Sequence, residues 1–333
     1  TLGDFEFAQA TSVVGYTSNT TIDFAGRAVQ AVRLTANSNW GGALPQYGLS
    51  EVRFLYIPTF AREPQPADGD PDVPLDTILS WRPGRQAAVH EVHLGTDPGT
   101  LPLVDTTDRP TLPMETLEFG RTYYWRVDEV NEAEPISLWQ SSVWTFQTLE
   151  YAIIDDFESY TDDIDAGEAI FDTWLDGWVN NTGSTVGYLT APFAERTIVH
   201  TGAQSMPLAY DNSVPPFYSE SECDLGGMNW LTHGADSLRL FVFGREDGDN
   251  DPEPLYVAIE DTAGYVTVVT HPDIAILAGW TEWRIPFSDL TGVNLAHIQT
   301  MYIGLGNRDH PKAGGTGLVL VDDVGFGRSA PGD

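Results

Sequence analysis

Apolar and polar residues alternate with a period of two in short runs along this chain, and no long 3.6-residue periodicity interrupts them. The clearest run is Tyr123, Trp125 and Val127 against Tyr124, Arg126 and Asp128. Alternation rich in aromatic and β-branched residues predicts a half-buried strand. An earlier run, Ala31-Val32-Arg33-Leu34, is followed by a polar loop and then Tyr47-Gly48-Leu49-Ser50-Glu51-Val52-Arg53-Phe54. With 32 Gly and 22 Pro breaking the chain between such runs, the pattern predicts many short strands and turns. The expected fold class is therefore all-β, as tandem β-sandwich modules.

Composition narrows this picture. A chain of 333 residues holds two or three sandwiches, and a hydrophobic content of 41% is enough to build their cores. The net charge of -33 excludes a nucleic-acid partner, because a phosphate backbone needs a basic face. It equally disfavours an anionic membrane surface. No run of eighteen apolar residues occurs, so no helical membrane insertion is expected. An acid-rich surface suits an extracellular protein, and it suits calcium, which takes oxygen ligands. Cys223 is the only cysteine, which rules out an internal disulfide and reads as a small buried hydrophobe.

Proline-rich residues 64–74 and the short junction Leu149-Glu150-Tyr151 divide the chain into segments 1–60, 61–149 and 150–328. The first resembles the closing half of a discoidin-type jelly roll, through its Val-Arg-Leu run and its Gly-Leu-Ser-Glu-Val-Arg-Phe run. The resemblance implies strands around Phe5–Phe7, Val32–Leu34 and Val52–Phe54, with open edges that seek a partner. The second segment, with Trp81 and the run Phe119-Gly120-Arg121-Thr122-Tyr123-Tyr124-Trp125, resembles a fibronectin type III sandwich. That resemblance makes Trp81 a core residue and Tyr123 a tyrosine-corner residue. The third opens Ile153-Ile154-Asp155-Asp156-Phe157-Glu158 and closes Val319-Leu320-Val321-Asp322-Asp323-Val324. It resembles a carbohydrate-binding-module jelly roll of the galactose-binding-like type. The whole chain resembles modular surface proteins of planctomycete-like bacteria.

Two sets of residues are candidates for chemistry. Strand alternation would place Asp156 and Glu158 on one face, and Asp322 or Asp323 would join them if the closing strand pairs nearby. Clustered carboxylates repel unless a cation intervenes. The jelly-roll resemblance implies a structural calcium here, held by Glu158 and one aspartate of the closing pair. The acidic run Arg245–Asp251 reads instead as a solvated loop. For sugar recognition, exposed rings must stack on pyranose faces beside polar hydrogen-bonding groups. Trp178, Tyr210, Asn212, Phe217 and Tyr218 are the expected ligand-binding residues, although such rings most often serve a core. No histidine pair has metal-ligand spacing, and no nucleophile elbow, phosphate loop or dinucleotide fingerprint is present. The expected function is non-catalytic: extracellular or cell-surface binding of polysaccharide, with calcium as a structural ion. The alternative is a subunit of an extracellular filament or sheath, self-assembling through residues 1–60.

Overall fold

The computed structural model describes residues 2–15, 17, 20–25, 27, 29–41, 47–49, 51–244, 250–271 and 279–330. Residues 245–249 of the acidic run lie outside them. The chain divides into two units, Thr1–Tyr56 and Ile57–Asp333.

Among its described residues the first unit forms no strand and no helix. This corrects the expectation of strands around Phe5–Phe7, Val32–Leu34 and Val52–Phe54. Phe5, Leu34 and Phe54 are exposed, and so is Trp40. Contacts such as the Trp40 indole N–H on the Phe7 carbonyl (2.9 Å) hold segments together locally. The physical reason is the absence of a second layer. An alternating run becomes a strand by burying one face, and a stretch this short buries too little apolar surface by itself.

The second unit begins with a two-sheet sandwich. Its strands are β1 Arg62–Gln65, β2 Asp70–Val73, β3 Ile78–Arg82, β4 Val89–Gly95, β5 Leu103–Thr107, β6 Thr111–Pro113, β7 Thr122–Val130, β8 Leu138–Gln140 and β9 Trp144–Thr148. One sheet has the order β1-β3-β6, and the other β2-β9-β7-β4-β5 with β8 also on β7. The alternation read from the sequence closes the core: Trp125 and Val127 are fully buried and pack with Leu79, Trp81 and Phe146. The Tyr123 hydroxyl accepts the Glu118 backbone N–H at 3.0 Å, which ties the start of β7 to the preceding loop.

A larger sandwich follows. Its strands are β10 Tyr151–Asp155, β11 Trp174–Leu175, β12 Ser184–Val186, β13 Met206–Asp211, β14 Tyr218–Met228, β15 Ser237–Gly244, β16 Leu255–Asp261, β17 Val266–Thr270, β18 Gly279–Pro286, β19 Ile298–Gly306 and β20 Thr316–Gly327. Two short helices, α1 Ile170–Thr173 and α2 Gly177–Asn180, flank β11. A six-stranded sheet runs β12-β13-β20-β15-β18 with β10 on β20, and a five-stranded sheet runs β11-β14-β19-β16-β17. Period-two alternation decides which side chains meet between them. Leu238, Leu240 and Val242 of β15 face Val257, Ile259 and Ile303 within one core that also holds Trp174 and Trp230. The chain is thus all-β, with helices of only four residues.

The two sandwiches are tied at their junction. Phe119 belongs to the larger sandwich's core and meets Phe326 edge-on at 6.0 Å. Its backbone N–H donates to the His233 carbonyl (3.0 Å), and the His233 ring nitrogen reaches the Leu117 carbonyl (2.7 Å). Gly120 has φ +60, and a Cβ there would sit 2.5 Å from the Arg328 carbonyl oxygen, so the approach requires glycine.

Candidate functional site

The outer face of the five-stranded sheet is built from alternate residues of β14, β19 and β16. Ser219, Ser221 and Cys223 point inward, which sends Tyr218, Glu220, Glu222 and Asp224 outward. The register places Glu220 opposite Gly304, and Gly304 opposite Tyr256. Gly304 is what lets the three strands communicate. A Cβ on it would lie 2.4 Å from the Tyr256 ring, so the missing side chain is the space through which that ring crosses β19. The Tyr256 hydroxyl then donates to Glu220 Oε2 at 2.7 Å. One register step along, Tyr302 stands between Glu222 and Ala258, and its hydroxyl donates to Glu260 Oε2 at 2.7 Å. Arg308 follows β19 and folds back, its guanidinium 4.3 Å over the Tyr302 ring. Its Nη1 lies 3.4 Å from Glu220 Oε2 and has no closer hydrogen-bond acceptor.

The floor of this face is formed by Tyr256, Ala258, Glu220 and Tyr302, all buried. Tyr218, Glu222, Thr300, Glu260 and Arg308 form a half-exposed margin, and Asp224 is open to solvent. Burial pushes the Glu220 carboxyl above the ordinary range, against the pull of Tyr256 and Arg308. Burial also raises Glu222 and moves the Tyr302 phenol up to about 12. For Arg308 burial works against the charge, but Glu220 and the tyrosines more than offset it and hold the guanidinium protonated. Glu220, Glu222 and Glu260 outnumber the Arg308 guanidinium, so the face is an acceptor-rich array of carboxylates and phenols with a cation at its margin.

Helix α2 closes the β14 edge of the same sheet. Asn180, Thr182 and Ser184 side chains all donate to the Glu220 backbone carbonyl. The Asp176 carboxylate caps the helix by accepting the Trp178 N–H at 3.0 Å. Trp178 itself stands 84% exposed.

The other expected ligand-binding residues are placed differently. Phe217 and Tyr218 are half-buried, and Tyr218 lies on the outer face just described. Tyr210 and Asn212 are interior, a correction to the sequence reading. The Tyr210 hydroxyl donates to the Asp251 carbonyl at 2.6 Å. Asn212 is fully buried, donating to the Leu305 carbonyl and accepting from the Ser219 hydroxyl. Both are consumed by the fold. Glu220, Glu222, Tyr256, Glu260, Tyr302 and Arg308 were missed. The period-two acids Glu220-Ser221-Glu222-Cys223-Asp224 were the available signal.

The acidic set is also rearranged. Strand β10 ends at Asp155, where the backbone leaves the sheet; Phe157, at φ +59, keeps its ring in the core. The shared strand face expected for Asp156 and Glu158 is therefore not formed. Asp156 caps the Glu158 N–H at 3.1 Å. Glu158 Oε1 accepts the Ala203 and Gln204 N–H groups at 2.8 and 3.0 Å. From the other side, fully buried Asp322 accepts the His200 N–H at 2.8 Å. Asp323, at φ +47 in a bulged register, takes the Thr201 hydroxyl (2.8 Å) and the His200 ring (2.6 Å). Burial lifts the Asp322 carboxyl to about 6. Glu158, Asp322 and Asp323 thus grip one loop, residues 200–204, from two sides. Among the described residues, Glu91, His93 and Asp128 of the smaller sandwich are the side chains whose ligating atoms converge within 4.8 Å. There Arg126 already pairs with Asp128 at 2.9 Å.

No protein-family model matches the chain, and no curated protein matches it. It is similar to several solved structures. One is a family 11 carbohydrate-binding module from Clostridium thermocellum in complex with a β-1,3-1,4-mixed-linked tetrasaccharide: 17% identity over 54% of this chain and 97% of that one, TM-score 0.32. Another is the CBM22-1 xylan-binding domain from Paenibacillus barcinonensis Xyn10C: 12% identity over 54% of this chain and 97% of that one, TM-score 0.33. A third is an exo-β-agarase: 12% identity over 55% of this chain and 25% of that one, TM-score 0.37.

Proposed function

We propose that the chain is a non-catalytic, extracellular glycan-binding protein whose five-stranded outer face takes a neutral polysaccharide. One observation carries the reading: the Tyr256–Glu220–Arg308 and Tyr302–Glu260 contacts fix phenols, carboxylates and a guanidinium across three strands. Such a face offers hydroxyl-rich ligands fixed acceptors and donors, with Trp178 exposed at the sheet edge for stacking. Its excess of carboxylates repels sulfated or uronate chains, which selects neutral sugars. Glu220 supports a binding role over hydrolysis. A glycosidase acid must reach the bridging oxygen, and this carboxyl is buried and already engaged by Tyr256 and Arg308.

The test is affinity electrophoresis through gels containing mixed-linkage β-glucan, xylan or agarose. The full chain is expected to be retarded by at least one. Glu220→Gln strips Arg308 of its counter-charge, and retardation should weaken tenfold or more, about 1.4 kcal/mol. Retardation equal in both proteins, or release of reducing ends by the wild type, would overturn the reading.

Structural calcium belongs to the same proposal. The ligands would be Glu158 and one aspartate of the closing pair; Glu158 and buried Asp322 accept backbone N–H groups of the 200–204 loop, and no cationic side chain among the described residues pairs with Asp322. Asp156 is turned onto its own backbone. A bound cation would neutralise that buried charge. A second reading, self-assembly through residues 1–60, draws on Phe54, Leu55, Tyr56 and Ile57, consecutive large side chains between 57% and 92% exposed. Sedimentation at rising concentration tests it: a persistent monomer excludes it.

A further inference from the structure

The outer face of the six-stranded sheet presents the opposite electrostatic problem. Inward Leu238, Leu240 and Val242 leave Arg239, Phe241 and Phe243 of β15 outward. Inward Trp283 and Ile285 leave Trp280, Glu282 and Arg284 of β18 outward. The register sets Arg239 directly opposite Arg284. Like charges facing each other across an antiparallel pair destabilise it. In a chain with 16 basic and 49 acidic residues, such an arrangement has no shortage of carboxylates to correct it. Only half the correction is made. Arg284 is matched by Glu282 at 2.8 Å and also donates to the Ser329 hydroxyl. Arg239 has no ion pair among the described residues. Its guanidinium is held by rings alone, 4.0 Å above Tyr151 and 5.4 Å from Phe241, and its buried Nε has no hydrogen-bond partner. Tyr151 is itself fixed through hydroxyl contacts to Ser237 (3.3 Å) and Ser329 (3.0 Å). The guanidinium therefore sits on a rigid support with donors to spare.

A cleft of about 610 Å³ opens beside this pair. Leu231, Pro286 and Phe287 supply apolar wall, and Asp236, Ser237, Ser288 and Arg284 supply polar groups. That volume falls within the usual range for small-ligand sites, roughly 300–1,000 Å³.

We propose that this face is a second binding site, separate from the five-stranded face, for a uronate unit of an acidic polysaccharide. Arg239 binds the carboxylate, and the adjoining cleft receives the sugar. A carboxylate matches the planar guanidinium fork. Hydroxyl partners beside apolar wall match a pyranose, which has a polar rim and apolar faces. The nearby carboxylates are themselves paired, Asp236 with Arg328 at 2.9 Å and Glu282 with Arg284 at 2.8 Å, which leaves Arg239 as the unmatched charge of this face among the described residues.

Calorimetry on the full chain tests this with a galacturonate oligomer and its methyl-esterified form, which has the same backbone without the charge. The acid oligomer should bind at least tenfold more tightly than the ester, and more weakly as salt rises. Arg239→Gln should remove most of that difference, with retardation by neutral glycans and the melting temperature unchanged. Glu282→Gln frees Arg284 and should strengthen acid-oligomer binding several-fold, so the proposal stays testable if the arginine variant folds poorly. Equal affinity for acid and ester, no binding of the acid oligomer, or wild-type affinity in Arg239→Gln would each overturn it. So would a dimer in sedimentation that Arg239→Gln dissolves, which would make a second copy's carboxylate the occupant.

Discussion

The two outer faces of the larger sandwich are built on the same inward pattern and could hardly differ more outwardly. Behind both faces alternate positions close one core, with Leu238, Leu240 and Val242 from one sheet and Val257, Ile259 and Ile303 from the other. On the five-stranded side the outward positions are joined strand to strand, because Gly304 leaves room for a tyrosine to span its neighbour and reach Glu220. On the six-stranded side two arginines face each other and, among the described residues, only one has a carboxylate. The inward half of a strand specifies the fold and tolerates exchange of one hydrophobe for another. The outward half specifies what the sheet can hold, and it does so through register, which fixes the neighbours of each polar group.

The comparison can be broken outright from behind. Ile303→Ala removes a fully buried side chain from the shared core, with an expected cost of about 2–5 kcal/mol in denaturant unfolding and loss of both faces together. Gly304→Ala should separate the faces. Its methyl group has to displace the Tyr256 ring, costing about 1–3 kcal/mol. Neutral-glycan binding should be lost while the acid-oligomer affinity of the other face is retained. Acidity offers a finer separation. Burial holds Glu220 and Glu222 above the ordinary carboxyl range, so both take up protons earlier than usual as the pH falls from 7. A carboxyl raised in the folded state stabilises the protein below its unfolded value and loses that contribution as pH rises through the folded one. Acidification should therefore increase the stability these two groups contribute and weaken neutral-glycan binding. Melting curves and calorimetry at matched pH values check the two opposite trends. The smallest effect belongs to Trp178→Ala. This side chain is almost entirely exposed, so stability should move by no more than about 0.5 kcal/mol. Glycan affinity should fall by roughly 0.5–1.5 kcal/mol through lost stacking.

Period-two alternation was enough to read the strands, since it records burial one residue at a time. Trp125 was legible as core for the same reason and Trp81 through the family resemblance, and the Tyr123 hydroxyl accepts the Glu118 N–H. Residues 1–60 alternate as well, yet Val32 and Leu34 are exposed, because alternation states which face wants cover and not whether cover exists. Tyr210 and Asn212 were misread because a ring or amide at the end of a strand looks the same in sequence whether it faces a ligand or the interior. In the structure the Asn212 amide closes backbone groups that would otherwise be buried unpaired. The five-stranded face was illegible for a different reason. Glu220, Tyr256 and Tyr302 come from three strands, and only register makes them neighbours. The turn of Glu158 and the bulge at Asp323 likewise undo a face assignment that assumed unbroken strands.

The central claim is that neutral glycan lies across β14, β16 and β19. Hydrogen–deuterium exchange of the full chain, with and without whichever neutral polysaccharide retards it in gels, tests this most directly. New protection is predicted over residues 218–224, 256–260 and 300–308, with none over Arg239 or Arg284. Protection confined to other strands, or no change anywhere at saturating glycan, would contradict the account.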